Sequence, residues 1–523
     1  MNRQLPARPS LAQLENEVEE LRRGAVSPGD AQLMLAREYG FASWSKLKHH
    51  VEGMEELENR VERLREEFAR GDIETKKRLL KPAHDQRRFE NYDPSAGSIS
   101  DRDARLLIAN EEGYALWNKY ESFLHLDPDV RDVIAAVQIG DLERLKEVLQ
   151  ANPSAANPSW VPGFAAPRPA PNDSIPLFCV SQAVFDGLNQ RGNGYEITQA
   201  LIDAGADVDT EGGHPLTAAV SFGALRVAEA LIDNGAKVDG VDGDGVPMAY
   251  AMHFTFREIA ELLARRGAKL DVRFAAGLGR LDIVKSFFAD KGSLKPGSGA
   301  LADPFGLERK QKGQSVFWCE RTPANILSQA LYYACIHNEL QVAEFLLSQG
   351  ADINAIVPGL DIQATILHRV AALGVIEPRT RVLNFLLEHG ASLTVRDLAF
   401  HGSPVGWAYY CNRRDIFDLL IDQAGIHDLV RFDRIDRLRA VLEENPQLAR
   451  SCDARGLTPL HYLHSHLKRA QEIVDVLIAH GADVNARDSA GQSVLETVNR
   501  MGTPEMVEHL RSLGATLETT GRS

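Results

Sequence analysis

Glycine recurs in this chain at a near-constant interval, each time directly after an apolar stretch with helical spacing. Gly205, Gly235 and Gly267 lie 30 and 32 residues apart. A glycine at the end of a helix supplies the left-handed cap that other residues adopt at a cost. A unit of this length holds two short helices, which cannot bury their apolar sides alone and must stack on similar units. The interval therefore predicts a linear array of two-helix layers.

One stretch shows the whole unit. Residues 456–461 read Gly-Leu-Thr-Pro-Leu-His, residues 473–479 form an apolar helical pattern, and residues 480–485 read His-Gly-Ala-Asp-Val-Asn. This stretch resembles the ankyrin repeat. The resemblance implies an all-α ankyrin-repeat solenoid, that is, stacked helix-turn-helix units.

Further stretches are similar to bacterial proteins described only as ankyrin repeat domain-containing. They include residues 211–223, 274–282, 300–307 and 403–408. The resemblance covers nearly the whole chain and implies a bacterial, cytoplasmic protein, but it brings no established activity.

The presence or absence of the repeat divides the sequence into two parts. Residues 131–523 hold about eleven predicted helix pairs, interrupted by long loop insertions at 152–176 and 292–323. Residues 1–125 lack the repeat and predict a small helical N-terminal region. This region contains a duplicated helix-turn-helix-like segment, because Trp44 and Trp117 lie in matching contexts 73 residues apart.

Charge and composition exclude several classes of partner. The formal net charge is −15, which argues against nucleic acid and anionic lipid as general partners. No apolar run is long enough to span a membrane, and the five cysteines show no metal-binding or disulfide pattern. A cytoplasmic protein is the interpretation that fits these features.

No pattern for a cofactor or a metal stands out. His461, His464 and His466 are the densest group of titratable side chains, but His461 occupies the repeat's usual histidine position and the other two are expected to diverge on a helix. Residues 239–245 resemble a calcium loop without its later glutamate, so we interpret them as a turn. We therefore predict no metal, no cofactor and no catalytic residue.

Aromatic side chains are the best candidates for binding. Alignment on the repeat places seven residues on or beside the inner, concave face, where repeat sequences vary and partners bind. The predicted binding residues are these seven and one aromatic residue in the second insertion: Phe222, His253, Phe254, Tyr333, Trp407, Tyr410, Tyr462 and Trp318. Packing against the insertions is an equally good interpretation of several of them.

The sequence thus predicts a non-catalytic binding or scaffold protein that recognises a protein or another ligand in its concave groove. Two alternatives remain open. An enzyme could have a pocket in the concave face roofed by residues 292–323. A transcriptional regulator could use residues 30–48, which are similar to the helix-turn-helix of AraC-type regulators and would expose Lys46 and Lys48.

Overall fold

A computed structural model of the chain describes residues 5, 9–24, 26–39, 43–71, 98–111, 117–124, 126, 128–157, 175–290, 292–304, 320–360, 363–373 and 379–517. It contains two compact units, residues 1–269 and 270–523. Within the described ranges there is no strand, only two isolated bridges, Phe288 with Leu294 and Arg487 with Ser493. None of the helices in these ranges combines the length and apolar character needed to cross a membrane.

The described residues at the start of the first unit form five helices, and serines cap the first three of them. The side chains of Ser10, Ser27 and Ser43 accept hydrogen bonds from backbone N–H groups in the first turns, which no carbonyl within the helix can satisfy. The helices are α1 (Leu11–Arg22), α2 (Pro28–Glu38), α3 (Trp44–Ala69), α4 (Asp101–Glu111) and α5 (Trp117–Leu124).

The long helix α3 connects two apolar cores in this region. Leu47 and Val51 pack with side chains of α1 and α2, whereas Leu64 and Phe68 pack with side chains of α4 and α5. The helix starts also repeat the offset found in the sequence, since α2 and α4, like α3 and α5, begin 73 residues apart. The predicted domain boundary at residues 125–131 stays a prediction.

Four helix pairs follow among the first unit's residues in the described ranges. The first helices of the pairs pack in one row and the second helices pack in another. The pairs are α6 (Pro128–Ile139) with α7 (Leu142–Ala151), α8 (Pro176–Phe185) with α9 (Gly194–Asp203), α10 (Thr210–Ser221) with α11 (Leu225–Asp233), and α12 (Val246–His253) with α13 (Arg257–Arg265).

Where the structure describes the second unit, it shows seven more pairs of the same kind. They are α14 (Val272–Gly277) with α15 (Leu281–Ser286), α16 (Pro323–Ile336) with α17 (Leu340–Ser348), α18 (Ile366–Leu373) with α19 (Arg379–Glu388), α20 (Pro404–Tyr410) with α21 (Arg414–Leu420), α22 (Ile426–Arg431) with α23 (Ile435–Glu444), a 3-10 helix (Pro459–Tyr462) with α24 (Ala470–Ala479), and α25 (Val494–Met501) with α26 (Pro504–Ser512). The predicted all-α class is confirmed.

A left-handed residue reverses the chain inside most of these pairs. It follows the first helix by one or two positions and ends that helix, so that the second helix can run back along it. Glycine holds the position in several pairs, and asparagine or aspartate, which tolerate this conformation, holds it in others. The residues at this turn are Gly140, Gly187, Gly223, Thr255, Gly279, Asn338, Asn412 and Asp433.

The core consists of contacts between successive pairs. From Ile426 to Ala515, one cluster of buried side chains joins the last three pairs and includes Leu438, Leu460 and Leu477 without exposed surface. Each pair therefore contributes one apolar side to the pair before it and another to the pair after it.

Thr255 should be the most strained of these turn residues, because a β-branched side chain rarely adopts its φ of 62°. We expect Thr255→Gly to raise the free energy of unfolding by about 0.5–1 kcal/mol, the left-handed penalty less the added entropy of the unfolded chain. Chemical denaturation would measure it. Asn338→Gly, at the same φ, is the control and should gain less; an equal gain would show that branching is not the cause.

Candidate functional site

Four of the predicted binding residues have side chains in the interior. His253, Tyr333, Trp407 and Tyr462 are all buried, with at most 9% of the residue exposed. These aromatic groups lie on the first helices, as expected from the repeat, but Tyr333 packs against Phe274 of the preceding pair, and Trp407 and Tyr462 bond to the preceding loops. A partner could not contact them without displacing that packing.

Trp407 shows why burial is favourable at this position. Its indole N–H donates to Asp397 at 3.0 Å, and the same carboxylate accepts backbone N–H groups of Ala399, Phe400 and Gly402 at 2.6–2.9 Å. Burial opposes ionisation of Asp397, but these hydrogen bonds outweigh it and lower its pKa. Trp407 therefore fixes the loop before its own helix.

Tyr462 repeats the arrangement in a later pair. Its hydroxyl donates to Asp453 at 2.7 Å, and Asp453 also accepts the N–H groups of Arg455 and Leu457. The pKa of Asp453 is likewise lowered, because these hydrogen bonds and the Arg455 charge outweigh burial. In both pairs, an aromatic polar group on the first helix holds an aspartate of the preceding loop.

The other described candidates reach solvent. Phe222 is half-buried, Phe254 is 37% exposed and Tyr410 is 67% exposed. Trp318 lies outside the described residues. Exposure thus separates the seven described candidates into four interior and three surface residues.

Phe222 belongs to a larger aromatic surface in the first unit that includes a residue the sequence analysis did not single out. Phe185, the last residue of α8, is 62% exposed, and its ring centroid lies 4.9 Å from that of Phe222. Phe178 lies 5.9 Å from Phe222 and stacks on His214 at 5.1 Å. Phe185 ends α8, and Phe222 directly follows the end of α10. This matching position at the end of a first helix is the sequence signal that could have identified Phe185.

The same surface continues to the next pair through Gly223. A Cβ atom at Gly223 would lie 2.8 Å from the Phe256 ring, so this ring passes directly over the glycine. Phe256 in turn lies 6.1 Å from Phe254. We call Phe185, Phe222, Phe254 and Phe256 the aromatic row.

The histidines at the repeat's usual position have structural roles. The His368 ring accepts from the backbone N–H of Thr365 and lies 3.1 Å from the Gly402 carbonyl. His461 makes the matching contacts with Thr458 and Gln492. Burial lowers the pKa of both rings, that of His368 to about 4.

The expected divergence of His464 and His466 is wrong. The helix of that pair ends at Tyr462, so both residues lie in the following loop with ring centroids 5.8 Å apart. One His464 nitrogen faces the Arg431 carbonyl at 2.8 Å and the other accepts the His466 N–H. Across the described ranges, no group of three acidic, histidine or cysteine side chains could hold a metal ion.

The second insertion is anchored by a buried arginine. Arg273 has no exposed side-chain surface and pairs with Asp271 at 2.6 Å and with Asp303 of the insertion at 2.7 Å. Gln329 and the Leu301 carbonyl accept further hydrogen bonds from it. Residues 305–319, which would form the roof of the predicted enzyme pocket, lie outside the described residues.

The regulator alternative depends on exposed cations in α3. Lys46 faces Asp129 at 3.8 Å and Lys48 faces Glu52 at 3.7 Å, while Leu47 between them is buried. Both lysines thus have a carboxylate nearby, and the helix runs on for 26 residues with buried side chains along one face. No feature of this segment favours DNA over packing.

Removing the indole donor should destabilise the second unit. We expect Trp407→Phe to lower the free energy of unfolding by about 1.5–3 kcal/mol, the range for a hydrogen bond to a charged group. Tyr462→Phe should have a similar effect. Urea denaturation checks both, with Tyr410→Phe as the exposed control; equal losses in all three variants would contradict the proposed support of the loops.

Stability should fall in mild acid because of His368. Its pKa is lowered from 6.5 to about 4 in the folded protein, so the unfolded chain binds the proton more tightly. The stabilisation is complete above pH 6.5 and is lost as the pH falls toward about 4. We expect His368→Gln to flatten this decline in Tm, whereas the same change at exposed His401 should leave the slope unaltered.

Comparisons with known proteins agree with the repeat architecture. The family description "Ankyrin repeats (3 copies)" matches residues 188–274, and "Ankyrin repeat" matches residues 329–356 and 455–489. The predicted ankyrin-repeat solenoid is thereby confirmed, and the chain contains ankyrin repeats in both units.

Two curated relatives are similar at low identity. Palmitoyltransferase AKR1 of Lachancea kluyveri is 26% identical over 191 residues, which cover 33% of this chain and 24% of that protein. Putative ankyrin repeat protein L371 of Acanthamoeba polyphaga mimivirus is 24% identical over 330 residues, covering 58% of this chain and 38% of that protein. The chain thus spans about a quarter to two fifths of the length of these relatives.

Among solved structures, the human ASB11 ankyrin repeat domain matches with 20% identity and a TM-score of 0.27. The match covers 53% of this chain and 90% of that domain.

Proposed function

We propose that this protein is a non-catalytic binding protein that holds a protein partner on the first-helix layer of its ankyrin repeats. The aromatic row is the observation that carries the proposal. The rings of Phe185 and Phe222 meet across two successive pairs, and in the next pair Phe254 lies near Phe256, whose ring covers Gly223. Rigid aromatic groups give a partner a large contact area at little cost in side-chain entropy.

The position of the row supports the same function. Phe222 and Phe254 cap α10 and α12 one residue before the left-handed turn, so the stacked helices set the spacing of their rings. A surface built on packed helices is preorganised, which lowers the entropy lost on binding. The transferase activity in the name of the yeast relative belongs to that protein, of which this chain covers only a quarter.

A bacterial cytoplasm is the setting we propose, in line with the family resemblance. The described cysteines, Cys179, Cys335, Cys411 and Cys452, are all free thiols, as is usual in a reducing compartment.

Photo-crosslinking in the native host tests the proposal. A benzophenone amino acid at Phe185 or Phe254 should crosslink a defined protein, because both rings are exposed in the aromatic row. The same probe at Tyr195, a half-buried aromatic residue of the second-helix layer, is the matched control. Identical products from all three positions would refute a specific binding face.

Substitution then measures how much the row contributes. We expect Phe185→Ser with Phe254→Ser to weaken capture of the crosslinked protein at least about tenfold, as for aromatic residues that dominate an interface. Tyr195→Ser should leave capture unchanged. Retained capture by a double variant with an unchanged circular dichroism spectrum would contradict the proposed site.

A further inference from the structure

Two arginines of the second unit lie over tyrosine rings of other repeats. The Arg396 guanidinium lies 5.5 Å from the centroid of the Tyr462 ring, and that of Arg431 lies 5.4 Å from the Tyr410 ring. A stacked guanidinium uses its flat face and leaves the N–H groups at its edge free to donate. Such an arginine can bind an anion without leaving the ring.

The Arg396 guanidinium makes few hydrogen bonds although the side chain is largely buried. Its side chain is 11% exposed, and one N–H donates to Asp428 at 3.2 Å. Within the described ranges, its other guanidinium N–H groups have no hydrogen-bond partner, and the second oxygen of the buried Asp428 carboxylate has none either. In a bidentate arginine–aspartate pair, two guanidinium N–H groups would donate to the two carboxylate oxygens.

Arg273 shows how a purely structural arginine in this fold is bonded. Its guanidinium donates to Asp271, Asp303, Gln329 and the Leu301 carbonyl. The contrast with Arg396 indicates that Arg396 keeps donors available for something other than the fold.

Arg431 is a second cation, on the helix that carries Asp428. It follows Asp428 by three residues on α22, a spacing that puts both side chains on one helix face. Arg434, three residues further along, pairs with the Asp422 carboxylate at 2.7 Å. Arg431 donates instead to the Tyr410 hydroxyl at 2.7 Å, and no carboxylate in the described part of the chain lies within 4.0 Å of it.

We propose that this arginine–tyrosine cluster (Arg396, Asp428, Arg431, Tyr410 and Tyr462) binds carboxylates of an acidic peptide segment in the partner. The inference rests on the proposed function, since it names the chemistry of part of the bound protein. A carboxylate matches the planar edge of a guanidinium, and the tyrosine rings can cover the methylene groups of a glutamate. A phosphorylated segment is the competing source of such an anion, and the phosphoserine peptide in the test below distinguishes it.

Fluorescence anisotropy with the full chain tests this cluster directly. The probes are a labelled, C-terminally amidated peptide of alternating glycine and glutamate, its glutamine counterpart, and one with phosphoserine for glutamate. We expect the glutamate peptide to bind at least about tenfold more tightly than the glutamine peptide, and less tightly as salt rises. Equal affinities for glutamate and glutamine, or tighter binding of the phosphoserine peptide, would overturn the proposal.

Variants assign the binding to these residues. Arg431→Met should weaken the glutamate peptide about tenfold or more, because a charge-assisted pair is lost. Arg396→Met combined with Asp428→Leu should do the same while leaving no buried charge unpaired. Arg434→Met, which removes a solvent-exposed arginine that is already paired, is the matched control and should change nothing.

The outcomes separate this inference from the proposed function. Unchanged affinity in both cluster variants would refute the acidic-peptide site, even if the Phe185 and Phe254 variants still lose the crosslinked partner. Retained partner capture by those phenylalanine variants would refute the aromatic binding face, even if the acidic peptide binds to the arginines.

Discussion

Burial between neighbouring helix pairs is the interaction on which this structure depends. In the pair α22 and α23, Leu429, Leu438 and Leu442 are fully buried in one cluster with side chains of the two following pairs. Stability of this kind accumulates from one layer to the next. It also leaves the ends of the first helices, and the loops before them, available for other uses.

The loops before the first helices are held by a small set of repeated contacts. A histidine ring bridges from Thr365 to Gly402 in one pair and from Thr458 to Gln492 in another. An aspartate in the loop accepts hydrogen bonds from backbone N–H groups of that loop and from one aromatic side chain of the following helix. Because these polar groups are buried and satisfied, they define loop geometry, and their replacement affects stability before it affects binding.

The two units offer surfaces of different chemistry. The aromatic row in the first unit has no charged member, whereas the arginine–tyrosine cluster in the second carries a net positive charge on a chain whose formal net charge is −15. Both surfaces are built on helices that pack against their neighbours, so their side chains are preorganised.

The sequence by itself determined the architecture. Its glycine interval predicted stacked helix pairs, and the structure contains them because a left-handed cap and a two-sided apolar pattern are local properties readable from residue types. Which aromatic residues face solvent was decided only by tertiary structure. Trp407 and Tyr410 lie three residues apart on one short helix, yet the first is buried because Asp397 of the preceding loop accepts its N–H, whereas the second is exposed. Such partners come from loops whose path depends on the neighbouring pair, so periodicity along one helix cannot reveal them.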